Sequence, residues 1–335
     1  SSINPQIFRE YDIRGIVGQD LTPESVASIG KAIGTYIRRG GGKTMVIGRD
    51  VRSSSIGFRD ILSKALNSTG CDVIDIGMVP TPVTYFALHH FKADGGVMIT
   101  GSHNPPEYNG FKISQGVHSL YGKKVQELKR LIEANDFETG TGNTRQQEVL
   151  GDYMEKVCSI LKISRKVKVV VDGGNGCFGI VGPDLLRRLG QDPVELFSEP
   201  DGTFPNHHPD PTVKEHLTHL IAKVRSENAE LGIGFDGDAD RIGVVDEKGH
   251  ILWGDQLLTI FARDILSRNP GATIVGEVKC SQNLYQDIEN HGGVPVMVAA
   301  GHSLIKNKMR ETGALLAGEM SGHICFADNY YGFDD

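Results

Sequence analysis

The run LGIGFDGDADR (residues 231–241) joins a short apolar strand, LGIGF, to a polar loop, DGDADR, entered directly from the strand's end. Before it come a strand VKVVVD (167–172), a helix from Pro183 to Leu189 closed by Gly190, a strand PVELF (193–197) and a long helix over about 212–229. Strand-like runs separated by amphipathic stretches predict strand–helix–strand units around a mostly parallel sheet.

The same order appears on either side. Upstream, a helix starts at Thr22 with Pro23 in its first turn, carries Val26, Ile29, Ile33 and Ile37 at helical spacing and ends at Gly40 to Gly42. Strands TMVIGRD (44–50), CDVIDIG (71–77) and GGVMIT (95–100) follow, separated by a helical stretch ending near Gly70 and by TYFALHHF (84–91). The last strand opens into GSHNPPEYNG, in which Tyr108 precedes Asn109 and Gly110. Downstream, strands ATIVGEV (272–278), VPVMVAA (294–300) and ALLAG (314–318) alternate with helical stretches around 282–291 and 304–311 and lead into EMSGH. The expected fold is therefore α/β: three tandem similar domains over residues 1–146, 147–250 and 251–335, with mixed, mostly parallel sheets. DFETGTGNTRQQ (136–147) reads as the first linker and DEKGH (246–250) as the second turn. Ligands of open α/β sheets bind beyond the carboxyl ends of the strands, so the three loops are expected to face one central cleft.

The chain has 335 residues, 35 basic and 42 acidic side chains and a formal charge of −7, which argues against a nucleic-acid partner. No apolar run approaches the ~18 residues of a membrane span. The N-terminal SSINPQIFREYDIRG lacks the basic start and apolar core of a secretion signal, so no membrane partner and a cytoplasmic location are expected. Five scattered cysteines without a Cys-x-x-Cys pair read as reduced thiols with no zinc site. The 42 glycines are about 13% of the chain, nearly twice the usual ~7%, and imply many tight turns or close backbone approaches. Asn67-Ser68-Thr69 is expected to close a helix.

Each loop carries distinct chemistry. In Thr100-Gly101-Ser102-His103-Asn104-Pro105, Ser102 is placed to carry or attack a phosphoryl group, although a turn stabilised by Ser102 and Asn104 also fits. It is no hydrolase nucleophile elbow, because Gly-x-Ser-x-Gly is absent. Asp236, Asp238 and Asp240 repel one another unless a cation or water intervenes. Arg241 stands where an EF-hand requires glycine, which excludes a calcium loop, and hard oxygens at alternate positions suit Mg²⁺. Glu319, Ser321 and His323 suit sugar hydroxyls. Lys279, Gly301 and His302 also follow strand ends. Arg14, in an N-terminal turn with Tyr11, can clamp a phosphate. Lys112, beyond the Asn109-Gly110 turn, would become a general base if cations crowded it, and otherwise reads as an exposed strand residue. Gly173-Gly174-Asn175-Gly176 matches neither dinucleotide nor Walker patterns and reads as a structural turn.

Taken in order, YDIRG (11–15), TGSHNP (100–105), DGDADR (236–241) and GEMSGH (318–323) resemble the α-D-phosphohexomutases, over nearly the whole chain. The resemblance is to the bacterial phosphomannomutase/phosphoglucomutase branch, and Met320 favours it over the glucosamine branch. It implies that Ser102 is carried as phosphoserine and binds Mg²⁺ together with Asp236, Asp238 and Asp240. It further implies substrate contacts from Tyr11, Arg241, Lys279, Gly301, His302, Glu319 and Ser321, with Ser102, Arg14, Lys112 and His323 catalytic. The implied reaction interconverts mannose or glucose 1-phosphate and 6-phosphate through a hexose 1,6-bisphosphate, which also serves as activator. The expected partners are small hexose phosphates, and the expected state is a monomer. Family members carry a smaller fourth domain that is expected to be absent from this chain, along with the helix closing the third. Two other readings are a non-catalytic sugar-phosphate or metal-binding module and a weak phosphatase.

Overall fold

The computed structural model describes residues 3–334. The first unit contains β1 (Ile13–Ile16), α1 (Pro23–Arg39), β2 (Thr44–Arg49), α2 (Ser55–Ser68), β3 (Asp72–Met78), α3 (Thr81–His90), β4 (Gly95–Ile99), β5 (Tyr108–Gln115), β6 (His118–Ser119), α4 (Lys123–Glu133) and β7 (Thr144–Gln146). The side chains of Thr22 and Ser25 each accept the other's backbone N–H, a reciprocal cap that starts α1 just before Pro23. Val26, Ile29, Ile33 and Ile37 are all buried along one stripe of that helix.

The second unit contains α5 (Leu150–Ile160), β8 (Val169–Asp172), α6 (Phe178–Arg188), β9 (Val194–Leu196), α7 (Thr218–Glu227), β10 (Leu231–Phe235), β11 (Ile242–Asp246) and β12 (Ile251–Leu252). The third contains α8 (Gly254–Arg268), β13 (Thr273–Glu277), α9 (Gln282–Asn290), β14 (Val294–Val298), α10 (His302–Thr312), β15 (Leu316–Gly318), β16 (Ile324–Phe326) and β17 (Phe333–Asp334).

One four-strand pattern recurs in the three sheets: β5-β4-β2-β3, β11-β10-β8-β9 and β16-β15-β13-β14. In each, three strands run parallel and the fourth returns antiparallel to the third. The loop making that reversal is the polar loop in every unit, so a single topological position supplies all three. The units share a core in which Val83 and Phe86 of α3, Val149 and Tyr153 from the start of the second unit, and Phe333 pack together.

Several elements differ from the sequence pattern. Residues 136–147 are not wholly a linker, because β7 pairs in parallel with the edge of β3. β12 pairs with β11, so the second sheet extends two residues past the expected boundary at 250. α6 begins at Phe178, which stacks on Phe235 with ring centroids 3.8 Å apart, and Pro183 lies inside the helix. A short 3₁₀ turn at Lys214–Leu217 precedes α7. Arg14 lies in β1 and not in a turn. Thr69 does cap α2, all five cysteines are free, and no helix among the described residues is long and apolar enough to cross a membrane.

Candidate active site

Ser102 lies at the turn leaving β4, 4% exposed and with φ +54, a left-handed conformation that costs a non-glycine residue roughly 1–2 kcal/mol. Its N–H donates to Thr100 Oγ1 at 2.8 Å, and its hydroxyl donates across the unit boundary to Asp238 Oδ1 at 3.2 Å. That approach requires glycine at 237: a Cβ there would lie 2.3 Å from the Ser102 carbonyl oxygen. The Gly173–Gly176 turn braces the same loop from behind, with the Cys177 N–H donating to the Gly237 carbonyl at 2.9 Å.

The three aspartates are buried, and their ligand oxygens lie within 4.8 Å of one another. Lys112 Nζ reaches Asp238 at 2.6 Å and Asp240 at 2.8 Å. Burial alone would lower the Lys112 pKa, but the two carboxylates outweigh it and push it well above the ordinary range. Carboxylates, not cations, crowd Lys112, so the condition for a general base is not met, and the side chain is buried where the alternative reading expected an exposed strand residue. Asp238 also accepts from the Thr81 hydroxyl at 2.6 Å, which ties it to the start of α3. Asp236 binds Arg241 Nε at 3.0 Å, and Arg241 also faces Asp210 at 3.5 Å.

The donor set fits a hard divalent cation. Burial, then Asp240 and Asp238, push Asp236 well above the ordinary carboxylate range, the mark of a cluster with too little positive charge. Asp240 Oδ1 is buried and accepts no hydrogen bond from any described residue. Small oxygen-only ligands with an unused lone pair suit Mg²⁺.

The third unit closes the opposite side. Glu319 accepts the Gly301 N–H at 2.9 Å. The Tyr11 hydroxyl donates to the Ala300 carbonyl at 2.9 Å, linking the first unit to the third. Tyr11, His302 and His323 form a line of rings with centroids 5.7 and 5.4 Å apart, and His323 Nδ1 ends it 4.0 Å from Asp240. Arg14 donates to Asn104 at 2.8 Å and pairs with Asp12.

A cavity of about 340 Å³ lies between these groups. Of the residues singled out in the sequence, Tyr11, Arg14, Ser102, Lys112, Arg241, Gly301, His302, Glu319, Ser321 and His323 line it, and Asp236, Asp238 and Asp240 lie directly behind the lining, bonded to Arg241, Ser102 and Lys112. Lys279 does not: it is exposed beyond β13 and outside the lining. Arg9, Glu10, Asp12 and His103 line it unanticipated. Burial, followed by the charge of Arg241, pushes His103 down to about 4, so its imidazole stays neutral 3.4 Å from the Ser102 hydroxyl.

The descriptions "Phosphoglucomutase/phosphomannomutase, alpha/beta/alpha domain I", "domain II" and "domain III" match residues 5–139, 127–249 and 253–335 respectively. The chain belongs to the phosphohexomutase family. The chain is 50% identical over 329 residues to the phosphomannomutase/phosphoglucomutase of Pseudomonas aeruginosa, covering 98% of this chain and 71% of that one. It is 44% identical over 337 residues to a Neisseria meningitidis serogroup A phosphoglucomutase, covering 100% and 73%. The crystal structure of a Burkholderia thailandensis phosphoglucomutase/phosphomannomutase family protein superposes with a TM-score of 0.97 at 46% identity, covering 100% of this phosphohexomutase chain and 75% of that one.

Proposed function

We propose that the cleft interconverts hexose 1-phosphates and hexose 6-phosphates, of glucose and mannose, through a phosphoryl group carried on Ser102. The observation that carries this reading is the Ser102 hydroxyl held 3.2 Å from Asp238 at the floor of a cavity shared by all three units. Phosphoserine 102 transfers its phosphoryl group to the free O6 of a hexose 1-phosphate. The Oγ–P bond breaks, the P–O6 bond forms, and the O6 proton passes to His323, whose imidazole faces the cavity. The resulting 1,6-bisphosphate turns over. Its O1–P bond then breaks as the phosphoryl group returns to Ser102, and O1 regains a proton as hexose 6-phosphate leaves.

Such transfer needs positioning and charge stabilisation more than covalent work from the protein. Arg14 and Arg241 present guanidinium forks suited to phosphate oxygens. Lys112 stays cationic beside the transferring group and orients Asp238 and Asp240. Asp236, Asp238, Asp240 and Ser102 would hold Mg²⁺, which supplies charge neutralisation for the phosphoryl group, itself near −2. Glu319 and Ser321 accept from and donate to sugar hydroxyls in either orientation of the ring, and His302 and Gly301 frame them. The reading includes three domains over residues 1–146, 147–250 and 251–335, and a cytoplasmic monomer acting on small hexose phosphates.

Intact mass tests the reading. The chain treated with glucose 1,6-bisphosphate and Mg²⁺ should gain one phosphoryl group, lose it to added glucose 1-phosphate, and gain none as Ser102→Ala. A chain that never gains it refutes the carrier role. Inorganic phosphate released without glucose 6-phosphate indicates hydrolysis instead.

A further inference from the structure

Beneath Ser102 lies an ion pair that the chemistry above does not use. Asp50 and Arg52 follow β2, and their side chains are 2% and 1% exposed, with Arg52 Nε 3.1 Å from Asp50 Oδ2. The two Nη atoms of Arg52 donate to four main-chain carbonyls of the Ser102 loop: Ser102 at 3.2 Å, Asn104 at 2.7 Å, Pro105 at 2.5 Å and Tyr108 at 3.0 Å. Asp50 takes the Gly101 N–H at 3.2 Å and is itself fixed by the Ser55 hydroxyl at 2.6 Å. The pair therefore grips the loop at five residues. Its fit is close, since a Cβ on Gly101 would lie 2.4 Å from the guanidinium carbon.

The same guanidinium reaches the second unit. It stands 5.2 Å from the Phe204 ring centroid, and Phe204 packs with Val51 and Cys177, whose N–H holds the Gly237 carbonyl. Arg52 thus touches the loop that carries Ser102 and, through Phe204, reaches the segment that braces the aspartate loop. A left-handed residue such as Ser102 persists only where its surroundings over-determine it. Five N–H donors in a rigid planar fork can do this, whereas the three donors of a lysine on a flexible stem cannot reach the same carbonyls.

We propose that Arg52, seated on Asp50, is a positioning residue for phosphoryl transfer: it sets the angle at which Ser102 Oγ meets Asp238 and does not touch the sugar. Arg52 is absent from the cavity lining, which separates this role from substrate binding. The proposal rests on the phosphoserine reading above.

The test uses two variants. Arg52→Lys keeps a cation against Asp50, and Asp50→Asn/Arg52→Met removes both charges so that neither is left buried alone. Each is phosphorylated with glucose 1,6-bisphosphate, mixed with glucose 1-phosphate and Mg²⁺, and followed by intact mass in single turnovers, with thermal unfolding measured alongside. Transfer is expected to fall about 100-fold in both, the scale of a 1 Å misplacement. The half-saturating glucose 1-phosphate concentration should stay within about twofold, because ground-state binding is untouched. A merely structural role would lower the unfolding midpoint without slowing the folded protein. A folded variant that transfers within about threefold of the parent, or that slows only through weaker sugar binding, overturns the role. A parent that passes no phosphoryl group to the sugar overturns the transfer reading first, and this role with it.

Discussion

The floor of the cleft and its far rim are built on different principles. On the floor, Ser102, Lys112, Asp238, Asp240 and Arg241 are all at most 7% exposed; the first four are bonded to one another across two units, and Arg241 pairs with Asp236 beside them. On the rim, Ser321 and His302 are half-buried and face the cavity beside the buried Glu319 and His323. The floor must present fixed charge to a phosphoryl group at one place, because preorganised dipoles in a dry site stabilise a transition state without reorganising. In the reaction proposed above the rim holds a sugar in two opposite orientations, which a network as tightly tied as the floor's would forbid. On that reading, rigidity belongs to the phosphoryl group and adaptability to the ring.

The largest expected effects break the floor. Asp238→Asn removes a carboxylate bonded to Ser102, Thr81 and Lys112. Phosphoryl transfer should fall by about 10²–10³-fold, the scale of losing one preorganised electrostatic contact, with single-turnover mass measurements as the check. Lys112→Met attacks stability instead. It leaves three buried carboxylates opposite Arg241 and the His323 imidazole, and stripping one partner from a buried pair costs about 3–5 kcal/mol. Millimolar Mg²⁺ should raise the unfolding midpoint of this variant more than that of the parent. Equal shifts would show that the aspartate cluster does not take the cation.

How much of this was legible in the sequence follows from the same contrast. The three loops were visible because Ser102, the aspartates and Glu319 to His323 stand in short polar runs at strand ends, where periodicity stops. The recurring sheet was visible for the same reason. The sign of the Lys112 shift was not, because it depends on which charges face the ammonium from residues more than a hundred positions away. Asp210 and Arg52 gave no local signal either, since their partners come from other elements. Lys279 stands apart: it has a strand-end position and a useful charge, and its exposed side chain lies outside the cavity lining. Pro183 misled because a proline is most at home in a first turn, whereas burial of Phe178 starts α6 earlier.

A smaller effect tests the brace behind the floor. His207 Nε2 faces Asp172 at 2.8 Å and Nδ1 faces the His208 carbonyl at 2.9 Å. Two acceptors demand two ring N–H groups, so the imidazolium fits the site. Burial pushes its pKa down, but the bond to Asp172 and that carboxylate's charge push it up past the ordinary value. A raised pKa in the folded state contributes stability that is complete below the unfolded value near 6.5 and lost as pH climbs through the folded value. The parent's unfolding midpoint should therefore decline as pH rises above about 6.5. His207→Asn should lack that component, and an identical pH profile in the two proteins would remove His207 from the brace.

The smallest effect lies at the seam where floor meets rim. Tyr11→Phe keeps the ring beside His302 and deletes only the hydroxyl that donates to the Ala300 carbonyl. One neutral hydrogen bond contributes about 0.5–1.5 kcal/mol, so the unfolding midpoint should fall by only a few degrees. Because the bond joins units and touches none of the floor residues, the single-turnover rate at saturating sugar should stay within about twofold while half-saturation rises by up to about fivefold. That split distinguishes a group that places the rim from one that shapes the floor. A fall in the saturated rate as large as that of Asp238→Asn would mean that the two regions are mechanically one.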